Sequence, residues 1–336
     1  MGSVLKMGIV GTGRIGRLHV SNINKLVEGA VVIAAADPYI SGAVDELKAN
    51  GVEHIYEDYR ELIANPEVEA VIVASSTDTH AEISIAAAKA GKAVFCEKPI
   101  DKDLDKIKEV LDVVKETGVT FQTGFNRRFD HNFRHVREMV DNGSIGDPQI
   151  VRVTSRDPAP PSIDYVKVSG GIFFDMMIHD FDMVRFLSGS EVVEVYANGA
   201  VLVDPAIGEA GDVDTAIVTL KFANGAIGSI DNSRQAVYGY DQRVEVFGSK
   251  GMAKAENDKP SAVEVYTEDR PTTDKIPYFF LDRYTGAFVD QFTDFITAVR
   301  EQKPAPVTAV DGYRAVQIAY AATESLKTGK PVKVEI

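Results

Sequence analysis

Three side chains of this chain have the types and spacing for acid–base chemistry: Lys98, Asp175 and His179. Asp175 and His179 lie four residues apart in Gly170-Gly171-Ile172-Phe173-Phe174-Asp175-Met176-Met177-Ile178-His179-Asp180. That pattern predicts one helix over 171–188, and a single turn would set both side chains on one face. Ile172, Phe173, Met176, Met177 and Ile178 would pack the helix and keep water away. A carboxylate beside an imidazole in a dry wall suits a general acid/base pair. On their own the two residues fit equally well a helix N-terminus with an incidental histidine. Lys98 follows the apolar run Ala93-Val94-Phe95-Cys96 and sits in Glu97-Lys98-Pro99.

The elements needed to position these groups begin at Leu5–Val10, a short apolar strand. It runs into Gly11-Thr12-Gly13-Arg14-Ile15-Gly16, which opens a helix to about Leu26. In that setting Gly11 allows the tight turn, Gly13 lets the backbone approach a pyrophosphate, and Gly16 lets helix and strand pack closely. The helix N-terminus then presents N–H groups to phosphate. A second strand, Val31–Ala36, ends at Asp37, about 20 residues past the glycines, where an acid can hold both hydroxyls of the adenosine ribose. Pro38 follows and offers no charge for a 2′-phosphate, so NAD is expected over NADP. The plainer reading is a glycine turn and a turn-forming Asp-Pro.

Strand and helix patterns keep alternating to Phe125, with strands at 54–56, 70–74, 93–96 and 120–125. This predicts a doubly wound parallel Rossmann sheet over residues 1–125. Ligands bind at the C-terminal strand ends: Gly11–Gly16, Asp37, Ser75-Ser76-Thr77, Glu97-Lys98 and 125–128. Topology alone thus places Lys98 beside the cofactor. His80 opens a helix beside Ser76 and Thr77, as a cofactor contact or a cap. From residue 126 to 336 the pattern becomes α+β. Alternating strands at 149–154, 192–198, 214–222, 226–233, 243–247, 252–256 and 262–267 predict one large, mostly antiparallel open sheet. Asn224-Gly225 reads as a two-residue hairpin turn. Helices on one face would leave the other face for a second copy of the chain.

The 336 residues carry 36 basic and 50 acidic side chains, a net charge of −14, which argues against a nucleic-acid partner. The lone Cys96 rules out an internal disulfide and fits a reducing, cytoplasmic setting. No apolar run reaches the roughly 18–20 residues of a membrane span, so no membrane partner is expected. His19, His54, His131 and His135 show no metal-ligand spacing with Asp or Glu, and no metal is expected.

The whole chain resembles the glucose–fructose oxidoreductase/inositol dehydrogenase family (Gfo/Idh/MocA). The resemblance rests on Gly11-Thr12-Gly13-Arg14-Ile15-Gly16, Glu97-Lys98-Pro99 and Asp175-x-x-x-His179. It is strongest toward the inositol 2-dehydrogenases, through Gly124–Asp130, Thr154–Pro158, Ser169–Asp175 and Tyr238-Gly239-Tyr240-Asp241. It implies NAD-dependent oxidation of a ring secondary alcohol to a ketone, a cis Lys98–Pro99 bond and a homotetramer. A histidine ionises near working pH, so His179 would take the hydroxyl proton. Lys98 would support the developing alkoxide, and Asp175 would pair with Lys98 and hold a neighbouring hydroxyl. Arg127, Asp157, Tyr240 and Tyr284 are the candidate polyol contacts, with Arg127 also near the cofactor. Two readings stay open beside inositol oxidation: oxidation of an aldose such as glucose, and a non-catalytic sensor of dinucleotides or sugars on the same fold. The stereoisomer is not legible.

Overall fold

The computed structural model describes residues 4–336. The chain divides into two compact units, Met1–Asn126 with Gly286–Arg314, and Arg127–Thr285 with Ala315–Ile336.

In the first unit, strands β1 (Leu5–Val10), β2 (Ala30–Ala36), β3 (His54–Tyr56), β4 (Ala70–Val73), β5 (Ala93–Cys96) and β6 (Phe121–Thr123) form one parallel sheet in the order β3-β2-β1-β4-β5-β6. Every residue of β4 and β5 is buried. Runs that are apolar at each position suit strands covered on both faces, which is the condition of a parallel sheet. The intervening helices are α1 (Arg14–Leu26), α2 (Val44–Ala49), α3 (Tyr59–Ala64), α4 (Thr77–Lys89) and α5 (Leu104–Thr117). Strand order reverses between β1 and β4, so the crevice of such a sheet opens beside Gly11.

The second unit is built on a seven-stranded sheet, β12-β11-β7-β10-β9-β8-β15. Its strands are β7 (Pro148–Arg156), β8 (Val192–Ala200), β9 (Thr215–Phe222), β10 (Ile227–Ser233), β11 (Asp241–Gly248), β12 (Gly251–Ala255) and β15 (Val332–Lys333). The β7–β10 pair is parallel and the other pairs are antiparallel. Helices α6 (His131–Asp141) and α9 (Ile178–Ser188) pack on the inner face; α7 (Ile163–Ser169), α8 (Ile172–Asp175), α10 (Pro205–Glu209) and α11 (Phe280–Arg283) are shorter.

Four features depart from the sequence reading. The 171–188 segment is not one helix. Met177 N bonds back to Ile172 O at 2.8 Å, and the ladder restarts at α9. Asp175 therefore ends one helical turn and His179 begins another helix. Secondly, the 262–267 strand lies outside the large sheet: among the described residues, Glu264–Tyr266 (β13) pairs only with Pro271–Thr273 (β14), in an exposed hairpin. Pro271 lacks the N–H that a central strand needs. Thirdly, the turn at Asn224-Gly225 contains three residues, because Phe222 N bonds to Ala226 O and Gly225 carries φ +89°. Asn224 is not left-handed, so the two-residue form, which needs two such residues, is not adopted.

The fourth difference is in chain path. Helix α12 (Thr285–Glu301) and the start of α13 (Ala309–Thr328) belong to the first unit, whereas the sequence reading gave all of 126–336 to the second. Phe288 and Phe292 on α12 face the His19 ring, and Phe292 and Phe295 face Phe95. Gln122 donates to Gln291 O at 2.9 Å, and Arg300 donates to Gly29 O. The apolar side of α12 thus completes the core beneath β5.

Candidate active site

In the first unit the β1–α1 turn is built for a dinucleotide. Gly11 has φ +96°, a region side chains avoid, and a Cβ there would collide with the Ala74–Ser75 backbone. A Cβ on Gly13 would meet nothing within 4 Å, so open space lies over this helix end. Gly13 is also the cap of α1 and makes no side-chain capping hydrogen bond to the first turn. Asp37 closes β2: its Oδ2 accepts from Thr12 N at 2.7 Å and its Oδ1 from Tyr39 N at 2.8 Å. Gly11, Gly13, Asp37, Ser75 and Ser76 line a cleft of about 920 Å³, together with Glu57, Asp58, Arg60 and Glu82. Thr77 starts α4, and Ser75 Oγ lies 2.7 Å from Thr79 Oγ1. Arg14 and Ile15 form the first turn of α1. These residues fit the diphosphate and ribose of NAD.

Lys98 lies just beyond β5, and the Lys98–Pro99 bond is cis. The backbone is gripped on both sides. Glu97 Oε1 lies 2.6 Å from Nε2 of the buried His19, which sits among Phe95, Phe288 and Phe292. His80 is 2% exposed, with Nδ1 2.8 Å from Pro99 O and Nε2 3.0 Å from Ser75 O. The sequence reading gave Glu97 and His80 to the cofactor; the structure gives each a partner inside the protein. His19, three residues beyond Gly16 on the same helix, thus holds Glu97 and is no metal candidate.

In the second unit the structure gathers Arg127, Asp157, Asp175, Tyr240 and Tyr284 around one polar cluster. Arg127 follows β6 in sequence, and its guanidinium pairs with Asp180 and donates to Ser155 Oγ at 3.2 Å and Tyr240 Oη at 3.3 Å. Asn232 donates to the other Asp180 oxygen at 2.9 Å. Ser155 donates to Gln242, which also accepts from Tyr284 Oη at 3.5 Å. Arg234 donates to Asp175 Oδ2 at 2.8 Å, Tyr165 to Asp175 Oδ1 at 2.7 Å, and Arg234 lies 3.8 Å from Asp157 Oδ2. His179 opens α9 beside Asp180, which is fully buried.

Burial dominates the electrostatics. It pushes Asp157 up to about 6, against the pull of Arg234 and Arg127. It raises Asp180 too, in spite of Arg127 and Asn232, and lifts the Tyr240 phenol to about 12 and Tyr284 well above the usual range. For Arg127 burial works against the charge, and the surrounding acidic groups outweigh it, so the guanidinium stays ionised.

Arg234, Asp180, Tyr165, Ser155, Asn232 and Gln242 were not singled out from sequence. A signal for three of them existed. Ser155, Asn232 and Gln242 stand at inward positions of β7, β10 and β11, where Val151, Val153, Ile230, Val244 and Val246 are apolar and buried. Ser155 is in register with both Asn232 and Gln242, so the three form a polar row across the sheet. Polar residues at core parity mark a site more sharply than their types do.

Among the described residues, Asp130, His131 and Asp258 bring donor atoms within 4.8 Å of one another. The Arg283 guanidinium lies against Asp130 and 3.1 Å from Asp258, and so already supplies the positive charge.

A parallel sheet with its order reversing at a glycine turn, an acid closing β2 and a second domain carrying ionisable groups together define a dinucleotide-dependent oxidoreductase. The chain belongs to the GFO/IDH/MocA oxidoreductases: residues 5–125 match the family's NAD-binding Rossmann fold and residues 133–254 its C-terminal domain. It is 49% identical to a myo-inositol 2-dehydrogenase of Thermotoga maritima over 98% of this chain and 99% of the relative. It is 43% identical to an inositol 2-dehydrogenase of Rhizobium meliloti, with the same two coverages. A scyllo-inositol dehydrogenase of Lactobacillus casei, solved with NAD(H) and scyllo-inositol bound, superposes with a TM-score of 0.92 at 31% identity, covering 99% of each chain.

Proposed function

We propose that this chain oxidises a ring secondary alcohol of inositol to a ketone with NAD, myo-inositol to its 2-keto product first, with scyllo- or D-chiro-inositol as further substrates. The observation that carries the reading is the fixed array of Asp157, Asp175, Asp180, Arg127 and Arg234 in one unit. A ring of hydroxyls needs donors and acceptors held at fixed positions, and charged groups pinned by one another lose little entropy on binding it. Full-length relatives that are inositol dehydrogenases support the same substrate class. NAD, when bound, accepts the hydride. The chain's own groups do the rest: His179 takes the hydroxyl proton, Lys98 supports the oxygen, and Asp175 orients a neighbouring hydroxyl. Arg127, Asp157, Tyr240 and Tyr284 bind the polyol. Asp37 favours NAD over its 2′-phosphate, and Glu57, Asp58 and Glu82 in the same cleft add to that preference.

The working form in this proposal is a cytoplasmic homotetramer. On the outer sheet face Ile227, Ile150, Phe247 and Met252 are in register across β10, β7, β11 and β12, and three of them are well exposed. Such an apolar row suits a second copy. The test is a panel of inositols and aldoses with NAD and NADP, read by absorbance of the reduced nicotinamide. Turnover of an aldose above every inositol would overturn the substrate, and no turnover of any would overturn the enzyme. Light scattering at micromolar concentration checks the assembly; a monomer would refute it.

A further inference from the structure

We infer that Arg234 is a positioning residue for this reaction, the cation that fixes Asp175 and Asp157 relative to each other. The inference rests on the reading in which those two carboxylates face the polyol.

Arg234 follows β10 and is 2% exposed. Its backbone is fixed first: Arg234 N donates to Asp214 O at 2.8 Å, and the Asp214 carboxylate accepts from the N–H groups of Leu202, Val203 and Asp204. The segment around it is then stapled to Asp157 on both sides. Asp157 N donates to Ser233 O at 2.9 Å, and Ala236 N donates to Asp157 O at 2.6 Å. From this anchored backbone the side chain reaches the end of α8 and donates from Nη1 to Asp175 Oδ2 at 2.8 Å. One residue thus joins the end of β7, the end of β10 and the turn that carries Asp175.

The charge balance makes this cation matter. Asp157, Asp175, Asp180 and Asp212 all act electrostatically within this cluster, against Arg127 and Arg234. Arg127 is engaged with Asp180, and Arg234 is the cation that lies against both Asp157 and Asp175. Burial alone drives Asp157, Asp180 and Asp212 toward the neutral form. Nε and Nη2 of Arg234 are buried and find no acceptor among the described residues. Two buried donor nitrogens without acceptors cost stability. A side chain serving packing alone would be better replaced by an apolar one.

The test compares wild type, Arg234→Gln and Arg234→Lys as full-length chains, with NAD and myo-inositol from pH 5 to 9. Arg234→Gln should lower kcat/KM for inositol by about 10–100-fold, the cost of losing a charged hydrogen bond, while KM for NAD stays within about twofold of wild type. Its acid limb should move up by about one pH unit, because Asp157, still faced by Arg127, Asp175 and Asp180, loses its nearest cation. Arg234→Lys should recover part of the rate and return the limb toward wild type. Equal losses in the Lys and Gln variants with an unmoved limb would reduce Arg234 to packing and overturn the inference. So would wild-type kcat/KM in Arg234→Gln. A misfolded Gln variant, seen as lost NADH binding, leaves the Lys variant to decide: a loss below about tenfold with the limb near wild type supports the cation, and a loss above about tenfold overturns it. A wild-type enzyme that oxidises no inositol would overturn the proposed function, and this inference with it.

Discussion

His179 carries the sharpest expectation at the scale of single residues. Removing a general base costs typically about 10²–10⁴-fold in rate. His179→Ala should lower kcat by that order and leave NAD binding near wild type. Lys98→Ala should cost at least as much, because charge support and positioning go together. The double variant should fall by less than the product of the two, as the proposal that both groups act on one oxygen requires. Oxidation releases a proton and needs His179 neutral and Asp157 charged, so the rate should rise with pH through an acid limb to which both groups contribute. A kcat within about threefold of wild type across pH in His179→Ala would make Asp175 the next candidate base. Asp37 is the proposed determinant of cofactor choice. NAD should exceed NADP in kcat/KM, and Asp37→Ser should narrow the gap without closing it. Glu57, Asp58 and Glu82 remain in the cleft, and Arg60 is already shared between Asp58 and Glu82. Equal use of the two cofactors by wild type would refute this.

Among the elements, the turn into α8 decides where Asp175 goes. Gly170 and Gly171 have φ of +94° and +84°, and Asp212 caps α8 from outside by accepting from Ile172 N at 3.1 Å. A Cβ on Gly171 would stand 2.9 Å from Asp212 Oδ1. Gly171→Ala should therefore strain the backbone and displace the cap together, at about 1–3 kcal/mol. The expected result is a lower Tm by scanning fluorimetry and a lower kcat/KM for inositol, with KM for NAD unchanged. An unchanged melting curve would show that the turn relaxes freely. His80 makes a similar point for α4, because it straps the Pro99 carbonyl to the end of β4. His80→Ala should lower kcat through Lys98 more than it weakens NAD binding, as two titrations of rate against each substrate would show.

Taken whole, the first unit is discontinuous in sequence, and that has a stability consequence. Phe288, Phe292 and Phe295 are buried on α12, within the unit that begins at the N-terminus. At about 1.5–3 kcal/mol for each large apolar side chain, losing the three removes about 5–9 kcal/mol. That is comparable to the entire stability of an ordinary domain, about 5–15 kcal/mol. A fragment of residues 1–126 should therefore melt without a cooperative transition. Fusing 286–314 to it should restore one, along with NADH binding by fluorescence. A stable, NADH-binding 1–126 fragment would contradict this.

What the sequence determined by itself was whatever local pattern dictates. The glycines before α1, Asp37 at the end of β2 and the all-apolar β4 and β5 follow from chain geometry over a few residues, and the parallel sheet follows from their alternation. The strands of the second sheet were legible for the same reason, since their inward and outward residues alternate. Other features were decided by contacts between distant segments. The start of α8, which sets where Asp175 falls, depends on Gly171 and on Asp212, some 40 residues downstream. Glu97 and His80 look like strand-end and helix-end residues until His19 and Pro99 are seen against them. α12 carries an ordinary apolar stripe, and a stripe does not name its partner. Arg234 illustrates the limit most clearly. In sequence it is one arginine after a strand; only the register of β7 on β10 and the reach of α8 bring Asp157 and Asp175 to it, and burial then turns that meeting into a charged junction.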